Sequence, residues 1–398
     1  MSASHIPGTT GAGAPATAAQ RGPLPPYLPR WPVPGLVRIL APTGDRLWLV
    51  TRFALGRRVL TDPGFSRAAA VAPAAPAVHP LRPDPASLTS LDPPAHSRLR
   101  ALVNRAFVPQ AIAALEDGIR AEARGLLRRG GPRDLVRDYT MPLAAATICR
   151  ILGVPEAERD RFAALADLGH ALVPCTPQES EAARAELHKQ FGRLIRLARR
   201  EPGGHLLGAL VRAHDEDRAL SEAELIALVE LLLNAGYETT IGQTGLAVLA
   251  LLESPGEWRR LVADPGLIPG AVEELLRFAP VVPISFTRLA RQDTELAGQP
   301  VRAGEAVLVS LLHANFDLPD DGCPGVLDVR RQSARHLSFG HGPHICLGAQ
   351  LARLQLRTAL EELVAVCPGL SLEADPAALR WRPPEAIVRG PTALPVSW

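Results

Sequence analysis

Apolar positions recur at helical spacing over most of the chain after Asp92, and proline and glycine interrupt the pattern. The clearest element opens with a capping box, Ser221-x-x-Glu224, and continues as apolar sequence to about Glu253, before Pro255. This pattern predicts a helix of roughly thirty residues, about 45 Å long, which would cross a domain of this size.

Alternation typical of strands is sparse and confined to short segments. The candidate strands are residues 47–51, 288–289, 301–309 and the C-terminal stretch after Leu379. No repeat of about twenty to fifty residues is visible. We therefore predict a mainly α-helical fold with small peripheral β-sheets.

The first part of the chain predicts little regular structure. Residues 1–22 mix Ala, Gly, Pro, Ser and Thr without periodicity, and we expect a disordered tail. The proline-rich residues 23–34 should be extended along the folded body. The Pro/Ala-rich residues 72–85 lie between ordered-looking segments, which favours a long functional loop. We expect residues 23–398 to form a single domain.

Composition narrows the classes of protein that fit. Apolar residues make up 47% and charged residues 21%, with 43 basic against 41 acidic side chains, so neither global disorder nor a strongly basic nucleic-acid binder fits. Five dispersed cysteines without a C-x-x-C pair argue against a disulfide framework and a multi-cysteine zinc site. With no long uninterrupted apolar run or signal peptide, we expect a soluble cytoplasmic protein without a membrane or nucleic-acid partner.

The most informative segment is His336-Leu-Ser-Phe-Gly-His-Gly-Pro-His-Ile-Cys346-Leu-Gly348. A glycine-rich loop here brings Cys346 to the first turn of an amphipathic helix, where the helix dipole favours thiolate. Gly340, Gly342 and Gly348 let the backbone pass close to a large flat ligand. Cys346 alone would more often be a small buried apolar residue, but this arrangement suits a haem iron with an axial cysteinate.

The run Phe339-Gly340-x-Gly342-x-His344-x-Cys346-x-Gly348 resembles the haem-ligand signature of the cytochrome P450 family. The resemblance implies the cytochrome P450 fold and haem b, iron protoporphyrin IX, with Cys346 as the axial metal ligand. It also implies cofactor contacts for Phe339, Gly340 and Gly348.

A second motif, Ala235-Gly236-Tyr237-Glu238-Thr239-Thr240, lies in the long predicted helix. Mid-helix glycine and threonine weaken the backbone ladder, and a hydroxyl beside a carboxylate can organise water for proton delivery. A kink in a buried helix is the structural alternative. Ala-Gly-x-Glu-Thr resembles the family's oxygen-activating motif, which implies Thr239 and Glu238 as a catalytic proton relay and Ala235 beside the cofactor. Tyr237 replaces the usual histidine or phenylalanine.

A third motif is Glu274-Leu-Leu-Arg277, in a predicted helix bounded by Pro269 and Pro280. By spacing alone, Glu274 and Arg277 form an ordinary surface ion pair of small energetic value. The resemblance implies the family's E-x-x-R core pair, so we assign both residues a structural role.

A fourth motif follows Asp92-Pro93-Pro94, where Asp92 as N-cap and Pro93 at the first helical position predict a helix start. His96 and Arg100 would share one face, which suits an anionic group or, as the alternative, a solvated basic surface. The resemblance implies that His96 and Arg100 contact the haem propionates. It implies the same role for Arg288, His336 and His344.

The resemblance covers about residues 30–398. Ala314-Asn315-Phe316-Asp317 departs from the usual Ala-Asn-Arg-Asp, and together with the ending Leu394-Pro-Val-Ser-Trp398 it is similar to bacterial members that oxidise cyclodipeptides.

The family implies an enzyme that activates O2 to oxidise a hydrophobic small-molecule metabolite of secondary metabolism, by hydroxylation or oxidative coupling. A cyclodipeptide, a macrolide, a terpene or a polyketide are the substrate candidates. Ferredoxin and ferredoxin reductase would be separate electron donors that dock near Cys346 on a monomer. The expected pocket residues are Asn234, Val282, Ile284, Ser285, Phe286 and Val388.

Two other classes of protein compete with this interpretation. A zinc-binding protein could use His336, His341, His344 and Cys346, because imidazole and thiolate suit zinc. A non-catalytic recruitment protein of the same family is the other, although such a protein should have lost the cysteine or the oxygen motif.

Overall fold

The computed structural model describes residues 34–78, 83–104, 107–128, 133–173, 175–201, 203, 206–216, 219–317, 324–331, 335–383 and 386–398. The predicted tail, residues 1–22, and residues 23–33 of the proline-rich segment lie outside the described residues. So do residues 79–82 of the predicted loop.

Helices dominate the described chain, as predicted. In chain order they are α1 (Phe53–Thr61), α2 (Arg67–Ala70), α3 (Ala95–Asn104), α4 (Pro109–Ala113), α5 (Glu116–Arg128), α6 (Met141–Leu152), α7 (Arg159–Gly169), α8 (Pro177–Arg200), α9 (Leu206–Asp215), α10 (Glu222–Leu252), α11 (Pro255–Ala263), α12 (Ile268–Phe278), α13 (Leu311–Phe316) and α14 (Ala349–Val366).

The strands are short and lie at the periphery, again as predicted. They are β1 (Leu36–Leu40), β2 (Arg46–Val50), β3 (Phe65–Ser66), β4 (Arg288–Ala290), β5 (Thr294–Leu296), β6 (Gln299–Val301), β7 (Ala306–Val309), β8 (Ser371–Leu372) and β9 (Val396–Ser397). A five-stranded sheet has the order β1-β2-β7-β4-β3, with β2 and β7 parallel and the other neighbours antiparallel. Two further sheets each consist of two antiparallel strands, β5-β6 and β8-β9.

Helix α10 lies at the centre of the main core. Ser221 Oγ accepts from the backbone N–H of Glu224 at 3.2 Å, and Glu224 Oε2 accepts from the backbone N–H of Ser221 at 2.8 Å, so the predicted capping box is present. Residues 241–251 are buried on every side of the helix, which explains why this stretch is apolar all round. By length and composition alone α10 could cross a membrane, but here it packs against α6, α9, α12 and α14.

The predicted helix start is wrong by two residues, because α3 begins at Ala95 and not at Pro93. The Asp92 carboxylate instead accepts from the backbone N–H groups of Arg67 and Ala68, at 2.9 and 3.3 Å, and therefore caps α2. His96 and Arg100 remain on α3.

The predicted strand at residues 301–309 is divided between two sheets. Residues around Gly304, with φ of +84°, form a turn between β6 and β7. Arg302, Gly304 and Glu305 mark the turn in the sequence, but they give no sign that the chain changes sheets there.

Candidate functional site

The cysteine loop is folded tightly by its glycines. Gly340 and Gly342 have φ of +71° and +73°, a region that side chains other than glycine rarely adopt. A Cβ at Gly342 would also lie 2.6 Å from the backbone oxygen of Leu60 on α1. The backbone N–H of Cys346 donates to the Phe339 oxygen at 2.8 Å, so the loop closes on itself just before α14.

Cys346 is exposed on this loop and lies three residues before α14, not in its first turn. Burial of the sulfur among protein atoms raises the pKa of its thiol, against the opposite effects of the Gly348 backbone N–H and of Arg100 and Arg353. The helix start therefore does not by itself produce a thiolate. These three donors and charges are nevertheless placed to stabilise sulfur that has lost its proton to a metal ion.

A buried ion pair supports the loop from behind. Arg277 binds Glu274 through two hydrogen bonds of 2.7 and 2.8 Å, and the two side chains are 1% and 0% exposed. Spacing alone predicts an exposed i,i+3 ion pair. The structure instead places both side chains in the core. Removing Glu274 would leave the buried Arg277 charge without its carboxylate, so the pair fixes local structure.

Asn315 connects this ion pair to the cysteine loop. Its Nδ2 donates to the backbone oxygen of Arg277 at 3.1 Å and to Ser338 Oγ at 2.8 Å. Its Oδ1 accepts from the backbone N–H of Leu337 at 2.6 Å. The neighbouring Phe316, where the family usually has arginine, lies under the Arg277 guanidinium, 5.2 Å from ring centroid to carbon.

The expected propionate contact of His336 is wrong. Its Nε2 lies 3.2 Å from Glu273 Oε2, and its Nδ1 accepts from the backbone N–H of Ser338 at 3.2 Å. Both ring nitrogens are therefore already used. His336 holds the start of the loop to α12, together with Arg353, which binds Glu273 through two hydrogen bonds.

The other predicted anion-binding residues come together. His96 on α3 is buried, and its ring centroid lies 4.2 Å from that of His344. Arg288 on β4 is buried beside them and donates from Nη1 to the Phe65 backbone oxygen at 3.4 Å. Burial, followed by the charges of His96 and Arg288, lowers the pKa of His344 to about 3, so its ring is neutral at physiological pH.

This cluster has the properties of an anion site. Within the described part of the chain, neither ring nitrogen of His96 has a hydrogen-bond partner, and neither has Nε of Arg288. Buried donors are rarely left unpaired. Two carboxylates of a haem would supply acceptors and negative charge, so the residues present fit the cofactor that the cysteine loop implies.

Arg100 lies near both the cysteine and this cluster, because its charge lowers the pKa of His96 as well as that of the Cys346 thiol. Its charge acts on the Cys346 thiol, and its Nε donates to Asn104 Oδ1 at 3.0 Å. Its contact with a propionate stays a prediction.

The oxygen motif lies on α10 directly before the stretch 241–251 that is buried all round. Asn234 and Ala235 are exposed, and residues 238–240 are half-buried, although their neighbours on the helix are in the core. The Thr239 hydroxyl donates to the Ala235 backbone oxygen at 2.6 Å, and the α-helix is continuous through this position.

Glu238 does not bond to Thr239 in this structure. Its carboxylate forms an ion pair with Arg382, in the chain segment that follows α14 and β8. Arg382 is largely buried and belongs to no sequence motif, so sequence reasoning missed it. The predicted relay pair thus has a positively charged neighbour, Arg382.

Tyr237 has a structural reason to differ from histidine or phenylalanine. It is fully buried, and its hydroxyl donates to the Asp167 carboxylate on α7. Burial raises the pKa of both groups, the Tyr237 hydroxyl also because Asp167 is negatively charged. The tyrosine thus links α10 to α7.

The predicted pocket residues differ in what they face. Phe286 is 47% exposed, and Val282 and Ile284 are half-buried. Ser285 Oγ accepts from the Val309 backbone N–H at 3.0 Å and donates to the Phe286 oxygen, so it shapes the wall.

The assignment of Val388 to the pocket surface is wrong. It is buried against α10, where a Cβ on Gly242 would lie 3.2 Å from Val388 Cγ1. The adjacent Ile387 is exposed instead.

Gln243 is a buried residue of α10 that sequence reasoning did not single out. Its side chain donates to the Ala279 backbone oxygen and accepts from the Val281 backbone N–H, both at 3.1 Å.

The zinc alternative has no geometric support. Among the residues that the structure describes, no group of three or more His, Cys, Asp or Glu could hold a metal ion. His336 contacts Glu273, His341 contacts Arg57, and His344 lies against His96. The four side chains proposed as zinc ligands therefore have different neighbours.

Comparisons with known proteins agree with this geometry. The family model described as Cytochrome P450 matches residues 266–367. Nocardicin C N-oxygenase of Nocardia uniformis subsp. tsuyamanensis is 42% identical over 380 residues, 94% of this chain and 95% of the relative. Mycinamicin IV hydroxylase/epoxidase of Micromonospora griseorubida is 40% identical over 91% and 92% of the two chains. The solved structure of the mixed-function P450 MycG is similar with a TM-score of 0.86 and 40% identity, over 92% of this chain and 93% of that one.

Proposed function

The chain belongs to the cytochrome P450 family, and from that premise we propose that it oxygenates a secondary metabolite with Cys346 as its iron ligand. Membership makes it a haem b monooxygenase that takes electrons from redox partners and uses O2 and a small-molecule substrate. The single observation that carries the site assignment is the exposed Cys346, two residues after His344, whose ring lies against a buried cluster in which His96 and Arg288 have unpaired nitrogen atoms.

The residues that would hold haem are those just described. Cys346 would bind the iron from the loop, and His96, Arg288 and His344 would bind the propionates, with Arg100 near the sulfur. Phe339, Gly340 and Gly348 form the surrounding loop, whose shape depends on Gly340 and Gly342. When bound, haem supplies O2 activation and the oxidation of the substrate.

Monooxygenation inserts one oxygen atom into the substrate and releases the other as water, which consumes two electrons and two protons. We assign proton delivery to the hydroxyl of Thr239 on the partly open stretch of α10. Glu238 can exchange protons with water only when its carboxylate is free of Arg382. Arg382 therefore controls the availability of this carboxylate.

The pocket walls support a substrate that is apolar on one side and carries hydrogen-bonding groups on the other. Phe286, Ile284 and Ile387 supply apolar surface. Asn234 and the Glu238–Arg382 pair supply polar groups along α10. Relatives are named for their action on nocardicin C and mycinamicin IV, so these two metabolites and macrolides in general are the first substrates to test. Cyclodipeptides, terpenes and aromatic polyketides complete the set.

For the electron donors we propose a separate ferredoxin and ferredoxin reductase, docking where Arg57, Arg100 and Arg353 surround the cysteine loop. We further propose that residues 23–398 act as one haem domain, monomeric and cytoplasmic, without a membrane or nucleic-acid partner.

The test is spectroscopic and starts with the purified protein. Reduced protein under CO should give the strongly red-shifted Soret band of a haem thiolate, and Cys346→Ala should abolish it. Cys367→Ala, which removes a buried cysteine outside the loop, should keep it. Colourless protein after expression with hemin, or an unchanged CO spectrum in Cys346→Ala, would contradict the proposal. Optical titration with the substrate classes above, followed by 18O2 incorporation, would then identify the substrate.

A further inference from the structure

We propose that Arg67, which belongs to none of the sequence motifs, binds a haem propionate and completes the anion site. The inference rests on the proposed function, because it requires haem at this cluster. Arg67 is the first residue of α2, directly after β3, and it is 2% exposed. A buried guanidinium at this place needs a reason, since arginine is almost never fully buried unless it is paired.

Strand pairing places Arg67 beside another buried arginine. In the antiparallel pair β3-β4, Phe65 lies opposite Ala290 and Ser66 opposite Leu289. One further step in this register brings Arg67 opposite Arg288. Like charges directly opposite each other are unfavourable, and the charge of Arg288 does lower the pKa of Arg67, after burial, to about 10. Both guanidinium groups remain charged at physiological pH, so the pair requires an anion.

Asp92 is the nearby acidic group in this electrostatic network, and its acceptor capacity is already used. It accepts from Ser66 Oγ, from the backbone N–H groups of Arg67 and Ala68, and from Arg291 Nη2 at 2.7 Å. It thus binds the backbone of Arg67 but not its guanidinium. One carboxylate also cannot neutralise both Arg67 and Arg288.

The guanidinium of Arg67 has one nitrogen without any partner, and its N–H groups are available for a ligand. Its Nε donates to the Thr89 backbone oxygen at 2.9 Å, and its Nη1 donates to the Thr287 backbone oxygen. Its Nη2 is buried and has no partner among the described residues, as is true of His96 and of Arg288 Nε. The charge of Arg67 also acts on His344. Unpaired donors from α2, α3 and β4 therefore meet in one cluster.

The same side chain also touches the proposed substrate wall. The Arg67 guanidinium carbon lies 5.0 Å from the ring centroid of Phe286. Through Thr89 and Thr287 it joins the segment before α3 to the segment before β4. Arg67 is thus a cofactor-binding residue that also positions Phe286.

The experiment compares two cofactors in two proteins. Wild type and Arg67→Met are reconstituted with protohaem and with its dimethyl ester, and the rate of haem transfer to excess apomyoglobin is measured. A charge-assisted hydrogen bond predicts that Arg67→Met loses protohaem about tenfold faster than wild type. Esterified propionates carry no charge, so with the dimethyl ester the ratio should fall close to one.

Two controls separate this role from a structural one. Arg291→Met removes an exposed arginine that also binds Asp92, and it should leave both transfer rates unchanged. Arg67→Lys keeps the charge if Arg67→Met fails to fold, and it should lose protohaem at an intermediate rate while behaving as wild type with the ester. Equal acceleration with both cofactors, or none, would overturn the inference. Failure to bind any haem would instead overturn the proposed function.

Discussion

Two neighbouring threonines on α10 have the same local hydrogen bond but different expected roles. Thr239 and Thr240 each donate to the carbonyl four residues earlier at 2.6 Å. A positioned proton donor contributes about a hundredfold or more to a proton-transfer step. Thr239→Ala should therefore keep haem and the CO spectrum but yield hydrogen peroxide in place of product. Thr240→Ala is the matched control and should retain coupling of product to NAD(P)H; equal peroxide yields in both variants would refute the assignment.

The Glu273 carboxylate links α12 to the cysteine loop and gives a second test on a single residue. Burial alone would raise its pKa, but hydrogen bonds and charge from His336 and Arg353 lower it to about 2. Because the folded pKa lies below the ordinary value of 4.5, the carboxylate stabilises the fold above pH 4.5, and this contribution is lost as the pH falls toward 2.

Glu273→Gln should lower the free energy of unfolding by about 1 kcal/mol at pH 7, a figure reduced because the side chains are about one-third exposed. The deficit should shrink as the pH falls below 4.5. Thermal unfolding midpoints of both proteins at pH 7 and pH 4 measure it. A deficit that does not depend on pH would show that packing, not charge, is responsible.

At this scale the sequence could identify residue types but not their partners. His336 and His344 are both histidines of one loop, and only the fold shows that Glu273 occupies one and His96 faces the other. Arg67 and Arg382 carry no motif at all. Their roles depend on contacts across more than 140 residues of chain, which spacing cannot encode.

At the scale of elements, a sequence signal predicted a helix start correctly where the hydrogen-bonding partners lie only a few residues apart in the chain. The capping box at Ser221 uses atoms three residues apart, so the start of α10 could be predicted. Asp92 has the same kind of local signal, but tertiary structure uses its carboxylate for α2. The turn at Gly304 divides the strand predicted over residues 301–309, because β7 pairs with β2, a partner far away in sequence.

The contact of α10 with the segment around Val388 gives an element-scale test. A Cβ at Gly242 would lie 2.7 Å from Val281 Cγ2 and 2.8 Å from the Arg389 backbone oxygen. Overpacking of this kind costs about 1–3 kcal/mol, more than the helix propensity that alanine adds. Gly242→Ala should therefore lower the thermal midpoint and displace the 281–286 wall.

Gly245→Ala, nearly one turn further along α10, is the matched control. Its Cβ would make an ordinary 3.7 Å contact with Val136 Cγ2, so stability should hold or rise. Optical titration with 4-phenylimidazole and with imidazole tests the position of the 281–286 wall independently of stability. Only Gly242→Ala should weaken the larger ligand while sparing the smaller one. Unaltered 4-phenylimidazole binding in Gly242→Ala would show that the wall does not follow this contact.

For the whole molecule, several motifs that agree predicted the fold more strongly than any single motif did. The cysteine loop, the α10 motif and the Glu274–Arg277 pair are about 100 residues apart at their extremes, yet the fold connects them through Asn315 and the core around α10. Composition and near-neutral charge could exclude classes of protein but could not choose a substrate. A redox partner contacts only one face of the molecule, so its binding depends on the charges of that face and not on the net charge.

That face predicts a dependence of turnover on ionic strength. Arg57 Nε lies 3.2 Å from His341 Nε2 on the cysteine loop and is exposed, whereas Arg161 lies on α7 and pairs with Glu186 on α8. Screening shortens the range of charge attraction from about 10 Å at 0.1 M salt to about 3 Å at 1 M. The KM for an acidic ferredoxin should therefore rise with salt while kcat at saturating ferredoxin and CO binding stay constant. Arg57→Glu should raise this KM at low salt and flatten its salt dependence, and Arg161→Glu should do neither. If KM responds equally to both substitutions, the partner senses net charge and not the cysteine-loop face, and the docking site must lie elsewhere.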